Sequence, residues 1–145
     1  MSAPDLSKFL KPNHQGVREL EFRALGTECH IKIRLKSERD ALQFAADTLE
    51  WIKNFEEKYS RYLDTSLISK INAAAGQSWV ETDEDAERLL NVAEEVFRKS
   101  EGILDATMLP LARVWDWKKI HQELPNEDDV QEALRLTGWD KVERR

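Results

Sequence analysis

The order of apolar and polar residues predicts strands in the first part of the chain. In residues 19–35 apolar and polar positions alternate, most regularly over residues 30–35, which is typical of half-buried strands. Gly26 interrupts this alternation, and a glycine at such a point indicates a turn, a bulge or the close approach of a ligand. The sequence therefore predicts extended chain on both sides of Gly26.

Three longer amphipathic segments follow, and each begins at a residue that caps helices well. The first begins after Ser37 and carries apolar residues at three- or four-residue steps that end at Tyr62, which is the pattern of a helix with one buried face. The second begins after Thr82 and stops at Gly102, and the third begins after Asn126. The spacing thus predicts about three helices.

The segments between these helices are less regular. Residues 78–81 are a candidate strand, residues 103–118 read as ordered but irregular, and residues 139–142 begin an extended stretch. The predicted fold class is α+β, with a thin antiparallel or mixed sheet and about three helices, and a sheet of so few strands usually needs more of them to close a core. We expect residues 1–18 to be a flexible arm and residues 19–145 to form part of one domain.

Composition narrows the possible partners. The 145-residue chain carries a formal net charge of −6, mostly from its second half, and this argues against nonspecific binding to nucleic acid or to an anionic membrane. No apolar run resembles a signal peptide or a membrane span. On these grounds we expect a cytoplasmic protein.

Few residues offer recognisable chemistry on their own. The single cysteine, Cys29, excludes an internal disulfide and a cysteine-based zinc site. The adjacent His30 points to the opposite face of a strand and is poorly placed to activate the thiol. Asp105 follows a helix end, where it either contacts a ligand or bonds nearby backbone. Tyr62 either packs in the core or contacts a ligand. The sequence has no phosphate-binding glycine loop and no histidine–carboxylate cluster at metal-ligand spacing.

Four short segments, called phrases below, resemble the sequence motifs of one known family and occur in the same order as those motifs. Residues 24–27 are similar to a Met-Gly-Thr turn, and residues 59–72 to the pattern S-x-Y-x-x-x-S-x-[IL]-S-x-[IL]-N. Residues 100–115 resemble S-G-G-x-F-D-x-T-x-x-P-L followed by tryptophan, and residues 124–139 resemble the next segment of the same family. Together they resemble the ApbE family of FAD:protein FMN transferases over about residues 20–142.

This resemblance implies five contacts with FAD. Leu25 stands where the family has the methionine that lies against the flavin, and Tyr62 matches a tyrosine that lines the FAD site. Ile103, Leu104 and Asp105 match the phrase that runs along the bound nucleotide. The implied reaction uses Mg²⁺ to polarise the FAD pyrophosphate, a Thr or Ser hydroxyl of an acceptor protein attacks, and AMP leaves.

Two positions depart from the family pattern. Leu25 replaces methionine, a change that keeps the apolar bulk. Glu101 replaces the first glycine of the Gly-Gly pair, and a glutamate is strained there if the backbone needs a positive φ.

The family's remaining motifs supply the Mg²⁺ ligands and the catalytic groups, and they have no match in residues 1–145. We therefore expect this chain to be the N-terminal part of such an enzyme. It would form one side of the FAD-binding site and would be inactive alone. Two alternatives remain open, a non-catalytic flavin- or nucleotide-binding module and a protein-interaction domain that uses its acidic helices. Flavin binding that needs no Mg²⁺ favours the module, and a folded chain that binds no flavin favours the interaction domain.

Overall fold

The computed structural model describes residues 6–115 and 124–145. Two compact units, Met1–Glu81 and Thr82–Arg145, divide the chain. The first unit contains an antiparallel hairpin and helices, and the described residues of the second are helices and connecting loops. The predicted α+β class is confirmed. None of the described helices is both long enough and apolar enough to cross a membrane.

The hairpin joins β1 (Arg18–Ala24) to β2 (Thr27–Ile33) in antiparallel register. Leu25 and Gly26 form the whole connection, with φ angles of 54° and 74°. Two successive positive φ values are the mark of a type I′ turn, whose twist matches the right-handed twist of the paired strands. The break predicted at Gly26 is therefore a tight turn, and Leu25 occupies a conformation that glycine and asparagine adopt more readily.

Helix α2 (Glu38–Tyr59) begins as the sequence predicts. The Ser37 hydroxyl accepts a hydrogen bond of 3.0 Å from the backbone N–H of Asp40, which satisfies one of the free donors of the first turn. The helix ends at Tyr59 rather than at Tyr62. Local hydrogen bonds in the loop that follows compete with the next helical turn.

The core of the first unit lies between the hairpin and α2. Its buried residues are Phe9, Leu20, Phe22, Ala24, Ala41, Ala45 and Ile52. Phe9 ends the short helix α1 (Leu6–Phe9) and is fully buried. The N-terminal segment predicted to be a flexible arm is thus packed in part against the core. The sequence alone does not indicate this packing, because the residues that contact Phe9 are distant from it along the chain.

Arg18 holds this first segment against the hairpin. Its side chain is almost fully buried and donates hydrogen bonds to the carbonyls of Phe9, at 3.3 Å, and of Leu10. A third bond, of 3.1 Å, reaches the carbonyl of Leu35. A buried guanidinium is tolerated when its donors are used in this way.

The first unit ends with α3 (Leu67–Ala74). Gly76 follows it with φ 72°, in the left-handed conformation common just after helices. The strand predicted over residues 78–81 is wrong, because this stretch joins no sheet. In the part of the chain that the structure describes, the backbone of this stretch is not paired with a strand, and propensity alone does not make a strand.

The second unit begins with α4 (Glu84–Lys99), whose cap is Asp83 rather than the predicted Thr82. The Asp83 carboxylate accepts a bond of 2.9 Å from the N–H of Ala86. Threonine and aspartate are both good caps, but the Thr82 hydroxyl donates instead to the carboxylate of Glu87 in the first turn of the helix.

The described part of the second unit contains two further helices and a 3₁₀ turn. Helix α5 (Leu109–Val114) lies within the segment expected to be irregular, of which residues 116–118 are outside the described residues. Helix α6 (Glu127–Leu136) begins at Asn126 as predicted, where the side chain accepts a bond of 3.1 Å from the N–H of Asp128. A 3₁₀ turn, Trp139–Lys141, replaces the expected extended stretch.

Candidate functional site

The loop that carries Tyr62 is closed by two serines. The buried hydroxyl of Ser66 donates to the carbonyl of Ser60, at 2.5 Å, and accepts from the N–H of Ser69, at 3.0 Å. The Ser60 hydroxyl accepts a bond of 3.2 Å from the N–H of Tyr62. Both serines belong to the phrase that resembles the ApbE family, and their role in this fold is to shape the loop between them.

Tyr62 itself projects from this loop. Its side chain is 78% exposed, so the core-packing interpretation of this residue is wrong. The guanidinium of Arg61 lies over the ring, 4.5 Å from its centroid, and also bonds the phenol oxygen. An exposed aromatic ring on a braced loop is a surface on which a flat ligand can stack.

Leu25 occupies the tip of the hairpin in the same unit and is also exposed. Its backbone N–H donates to a carboxylate oxygen of Glu56 on α2, which anchors the turn to the helix. The two predicted flavin-contact residues of this unit therefore stand on separate loops, and each loop is fixed by hydrogen bonds.

In the second unit, the end of α4 forms a Schellman motif. The N–H of Gly102 bonds the carbonyl of Phe97 at 2.9 Å, and the N–H of Glu101 bonds the carbonyl of Arg98 at 3.2 Å. Glu101 has φ 53°, in the position where this motif usually has glycine. The strain anticipated from the missing family glycine is thus present.

The loop after this motif is braced by Asp105 and Thr107. One carboxylate oxygen of Asp105 accepts two bonds of 2.7 Å, from the N–H and from the hydroxyl of Thr107. The Thr107 hydroxyl in turn accepts a bond of 2.7 Å from the N–H of Gly138. Asp105 therefore acts in this fold as a loop-forming residue, one of the two alternatives that its sequence position left open.

Ile103 and Leu104 protrude between these polar residues. Their side chains are 84% and 58% exposed, while the N–H of Leu104 is held by the Ser100 hydroxyl at 2.9 Å. Ile103, Leu104 and Asp105 thus lie on one loop. The two apolar side chains are exposed to solvent, and the Asp105 carboxylate is bonded to Thr107 of the same loop.

A histidine and two glutamates meet on the solvent face of the hairpin. Strand pairing places His30 opposite Glu21, and its Nδ1 lies 3.9 Å from Glu21 and 3.7 Å from Glu19. Their ligand atoms lie within 4.8 Å of one another. Linear spacing does not reveal this group, because antiparallel register is what brings residues of the two strands together. Lys32 and Lys8 already pair with the two carboxylates, at 3.4 and 3.8 Å.

Three charged residues on α4, Glu87, Glu95 and Lys99, have pKa values displaced from their ordinary values. Two hydrogen bonds hold the pKa of Glu87 below its ordinary value, and the bond from Thr82 contributes more than the bond from Arg144. The ion pair between Glu95 and Lys99, at 2.6 Å, lowers the pKa of the glutamate and raises that of the lysine. Only the pair of Glu95 and Lys99 is one helical turn apart, whereas Arg144 reaches Glu87 from 57 residues further along the chain. Both are surface interactions that contribute to the stability of the helix rather than form a catalytic pair.

Comparison with known proteins gives one family. Residues 25–145 match the ApbE family. The crystal structure of the ApbE protein from Thermotoga maritima is similar to this chain, with 28% sequence identity and a TM-score of 0.74. The similarity covers 86% of this chain and 40% of the Thermotoga chain. No curated protein matches the sequence. Because the family match spans most of the chain, this protein belongs to the ApbE family.

Proposed function

We propose that this chain forms part of the flavin-binding surface of a FAD:protein FMN transferase. Such an enzyme moves FMN from FAD onto a Thr or Ser hydroxyl of an acceptor protein. Membership of the ApbE family supports this class of chemistry. The residues that the motif resemblance assigns to FAD are Leu25, Tyr62, Ile103, Leu104 and Asp105.

One observation carries the proposal. Large apolar side chains normally leave water when a chain folds, yet Leu25, Tyr62, Ile103 and Leu104 are all exposed. Each stands on a loop in which a backbone N–H donates a hydrogen bond to a polar side chain, namely that of Glu56, Ser60 or Ser100. Exposed apolar groups on fixed loops are suited to bind the flat, largely apolar face of an isoalloxazine ring with little loss of conformational entropy.

In the proposed reaction the acceptor hydroxyl oxygen attacks the phosphorus on the FMN side of the pyrophosphate. A new P–O bond forms as the bond to the AMP oxygen breaks, the hydroxyl proton is lost, and AMP leaves. The part proposed for this chain is binding and orientation. Tyr62 offers its ring for stacking, Leu25 and Leu104 offer apolar contacts, and Asp105 keeps the shape of the loop that presents Leu104.

The described residues do not fit a Mg²⁺ site of this reaction. Asp105 directs a carboxylate oxygen to Thr107. The group formed by Glu19, Glu21 and His30 is paired with lysines and includes an imidazole, whereas Mg²⁺ prefers oxygen ligands.

FAD binding to purified residues 1–145 tests the proposal. Flavin fluorescence is followed during titration, with and without Mg²⁺, for the wild type and for Tyr62→Ala. We expect saturable binding that weakens about 3- to 10-fold in the variant, the range that loss of one stacking contact predicts. Trp51→Ala is the matched control, because Trp51 is an exposed aromatic residue outside the assigned set, and it should leave binding unchanged.

The same comparison applies to the second unit. Leu104→Asp should weaken binding, whereas Leu136→Asp, at a similarly exposed leucine, should not. A folded chain that binds no FAD contradicts the assignment of these residues and favours the interaction-domain alternative. Equal losses in the paired variants would also contradict it, because they would reflect general surface effects.

A further inference from the structure

The central cross-strand pair on the solvent face of the hairpin differs from its neighbours. The pairs on either side set a cation opposite a carboxylate, namely Arg23 opposite Glu28 and Lys32 opposite Glu19. The central pair is Glu21 and His30. A neutral imidazole brings a nitrogen lone pair that neither lysine nor arginine offers. This face therefore places a nitrogen donor close to two carboxylates.

The spacing of these three side chains is close to that of a metal site. Nδ1 of His30 lies 3.7 Å from Oε1 of Glu19 and 3.9 Å from Oε1 of Glu21, and the three ligand atoms lie within 4.8 Å of one another. Zinc binds nitrogen and carboxylate oxygen at about 2.0–2.2 Å in a tetrahedral arrangement, which sets its ligand atoms about 3.4 Å apart. Small side-chain rotations are enough to reach that spacing.

The backbone that carries these ligands is held by the pairing of β1 with β2, so the relative placement of the three side chains is set before an ion arrives. Two lysines compete with an ion for the carboxylates. Lys32 lies 3.4 Å from Glu19, and Lys8 lies 3.8 Å from Glu21. Both ion pairs are exposed, and such pairs are weak. A divalent ion bound by three ligands at once can therefore displace the lysines.

The donor set selects the kind of metal. Mg²⁺ and Ca²⁺ take oxygen ligands, whereas imidazole nitrogen combined with carboxylate oxygen suits Zn²⁺ and similar transition metals. We propose that Glu19, Glu21 and His30 form a surface site for a divalent transition metal with the ligand preferences of Zn²⁺, in which water takes the fourth position. None of these residues is among those assigned to FAD, so the inference is independent of the proposed flavin transfer.

Zn²⁺ titration of purified residues 1–145 tests this site. All variants carry Cys29→Ser, because a thiolate also binds zinc and Cys29 lies on the core side of the same strand. Competition with a chromophoric chelator measures the affinity, and we expect one ion per chain. His30→Ala and Glu21→Gln should each weaken binding at least about tenfold, because even indirect support of a metal ligand is worth that much. A tenfold excess of Mg²⁺ should not displace the zinc.

Matched controls come from the same chain. His14→Ala removes an exposed histidine outside the group, and Glu28→Gln removes an exposed carboxylate from the same face of the hairpin. Both should leave the affinity unchanged. Lys32→Gln removes a competing cation and should strengthen binding, by up to about fivefold for the loss of one surface ion pair.

A thermal melt gives an independent readout and shows that each variant is folded without metal. Zn²⁺ should raise the melting temperature of the protein that retains His30 and not that of His30→Ala, because only an ion bound to the folded state stabilises it. A folded chain that binds no Zn²⁺ overturns the proposal. Equal affinity with and without His30 also overturns it, as does a loss in His14→Ala as large as that in His30→Ala.

Discussion

The hydroxyl of Thr107 accepts a hydrogen bond of 2.7 Å from the backbone N–H of Gly138, 31 residues further along the chain. The same hydroxyl donates to Asp105 at 2.7 Å. One side chain thus links the loop of Ile103 and Leu104 to the turn after α6. Both ends of this link belong to phrases that resemble the ApbE family, and together they fix the shape of the loop.

Replacing Thr107 by valine should destabilise the second unit by about 1–3 kcal/mol, because it leaves the Asp105 carboxylate and the Gly138 N–H without their shared partner. Thr107→Ser keeps the hydroxyl and should cost less than half as much. Urea unfolding followed by tryptophan fluorescence measures both, since the buried Trp139 lies in this unit. Equal losses for valine and serine would mean that the hydroxyl contributes no more to stability than the methyl group, which contradicts its role as the link between Asp105 and Gly138.

Replacing Glu101 by glycine should raise the stability of the protein rather than lower it. Its φ of 53° is strained for a residue with a Cβ, so Glu101→Gly should stabilise the protein by about 0.5–1 kcal/mol despite the greater freedom of glycine in the unfolded chain. Glu101→Ala removes the charge but keeps the Cβ, and it should give no such gain. Thermal unfolding of the two variants distinguishes them, and an equal gain from alanine would assign the effect to charge.

The buried Arg18 should be costly to remove. Arg18→Met keeps the aliphatic volume but deprives the carbonyls of Phe9, Leu10 and Leu35 of a charged donor, and we expect a loss of about 2–4 kcal/mol. Arg23→Met, on the exposed face of the same strand, is the control and should change stability by less than about 0.5 kcal/mol. Urea unfolding followed by circular dichroism measures the difference. Similar losses in both variants would contradict a specific role for Arg18.

Acid should weaken the start of α4 through Glu87. The hydrogen bond from Thr82, and then that from Arg144, lower the folded-state pKa of Glu87 below its ordinary value of 4.5. A lowered pKa contributes stability above the ordinary value, and this contribution disappears as the pH falls through the folded-state pKa. Glu87→Gln should therefore reduce the fall in melting temperature on acidification below pH 4.5.

A double variant provides the check on this interpretation. Once Glu87 is glutamine, adding Thr82→Val should change the pH dependence no further, because the hydroxyl then has no carboxylate to stabilise. If the melting temperatures of the wild type and of Glu87→Gln fall by the same amount as the pH is lowered, the proposed coupling is wrong.

Local signals in the sequence were enough to place several elements of the fold. Ser37 and Asn126 were identified as helix caps because a cap acts on backbone only two or three residues away, and Gly26 was identified as a break because the strand alternation stops there. The helix end at Tyr59 was missed because the bond between Ser60 and Ser66 competes with helix continuation. The burial of Phe9 was missed because its partners are distant in sequence.

The candidate site follows the same division. The backbone-bonding alternative for Asp105 was available from the sequence because its partner is two residues away. The bond between Thr107 and Gly138, and the meeting of His30 with Glu21, depend on how distant segments pair, which no local pattern encodes. The assignment of Leu25, Tyr62, Ile103 and Leu104 to FAD comes from resemblance, to which the structure adds that all four side chains are exposed.

The alternation of the hairpin also limits how its length can change. Leu20 and Phe22 pair with Ile31 and Cys29 on the side that faces the core, whereas Glu21 pairs with His30 on the solvent side. Inserting one residue within β1 would turn every later side chain of that strand to the other face and drive charge into the core. Two inserted residues would preserve the alternation. Relatives of this protein should therefore differ in hairpin length by even numbers of residues per strand, or place a bulge wherever the number is odd.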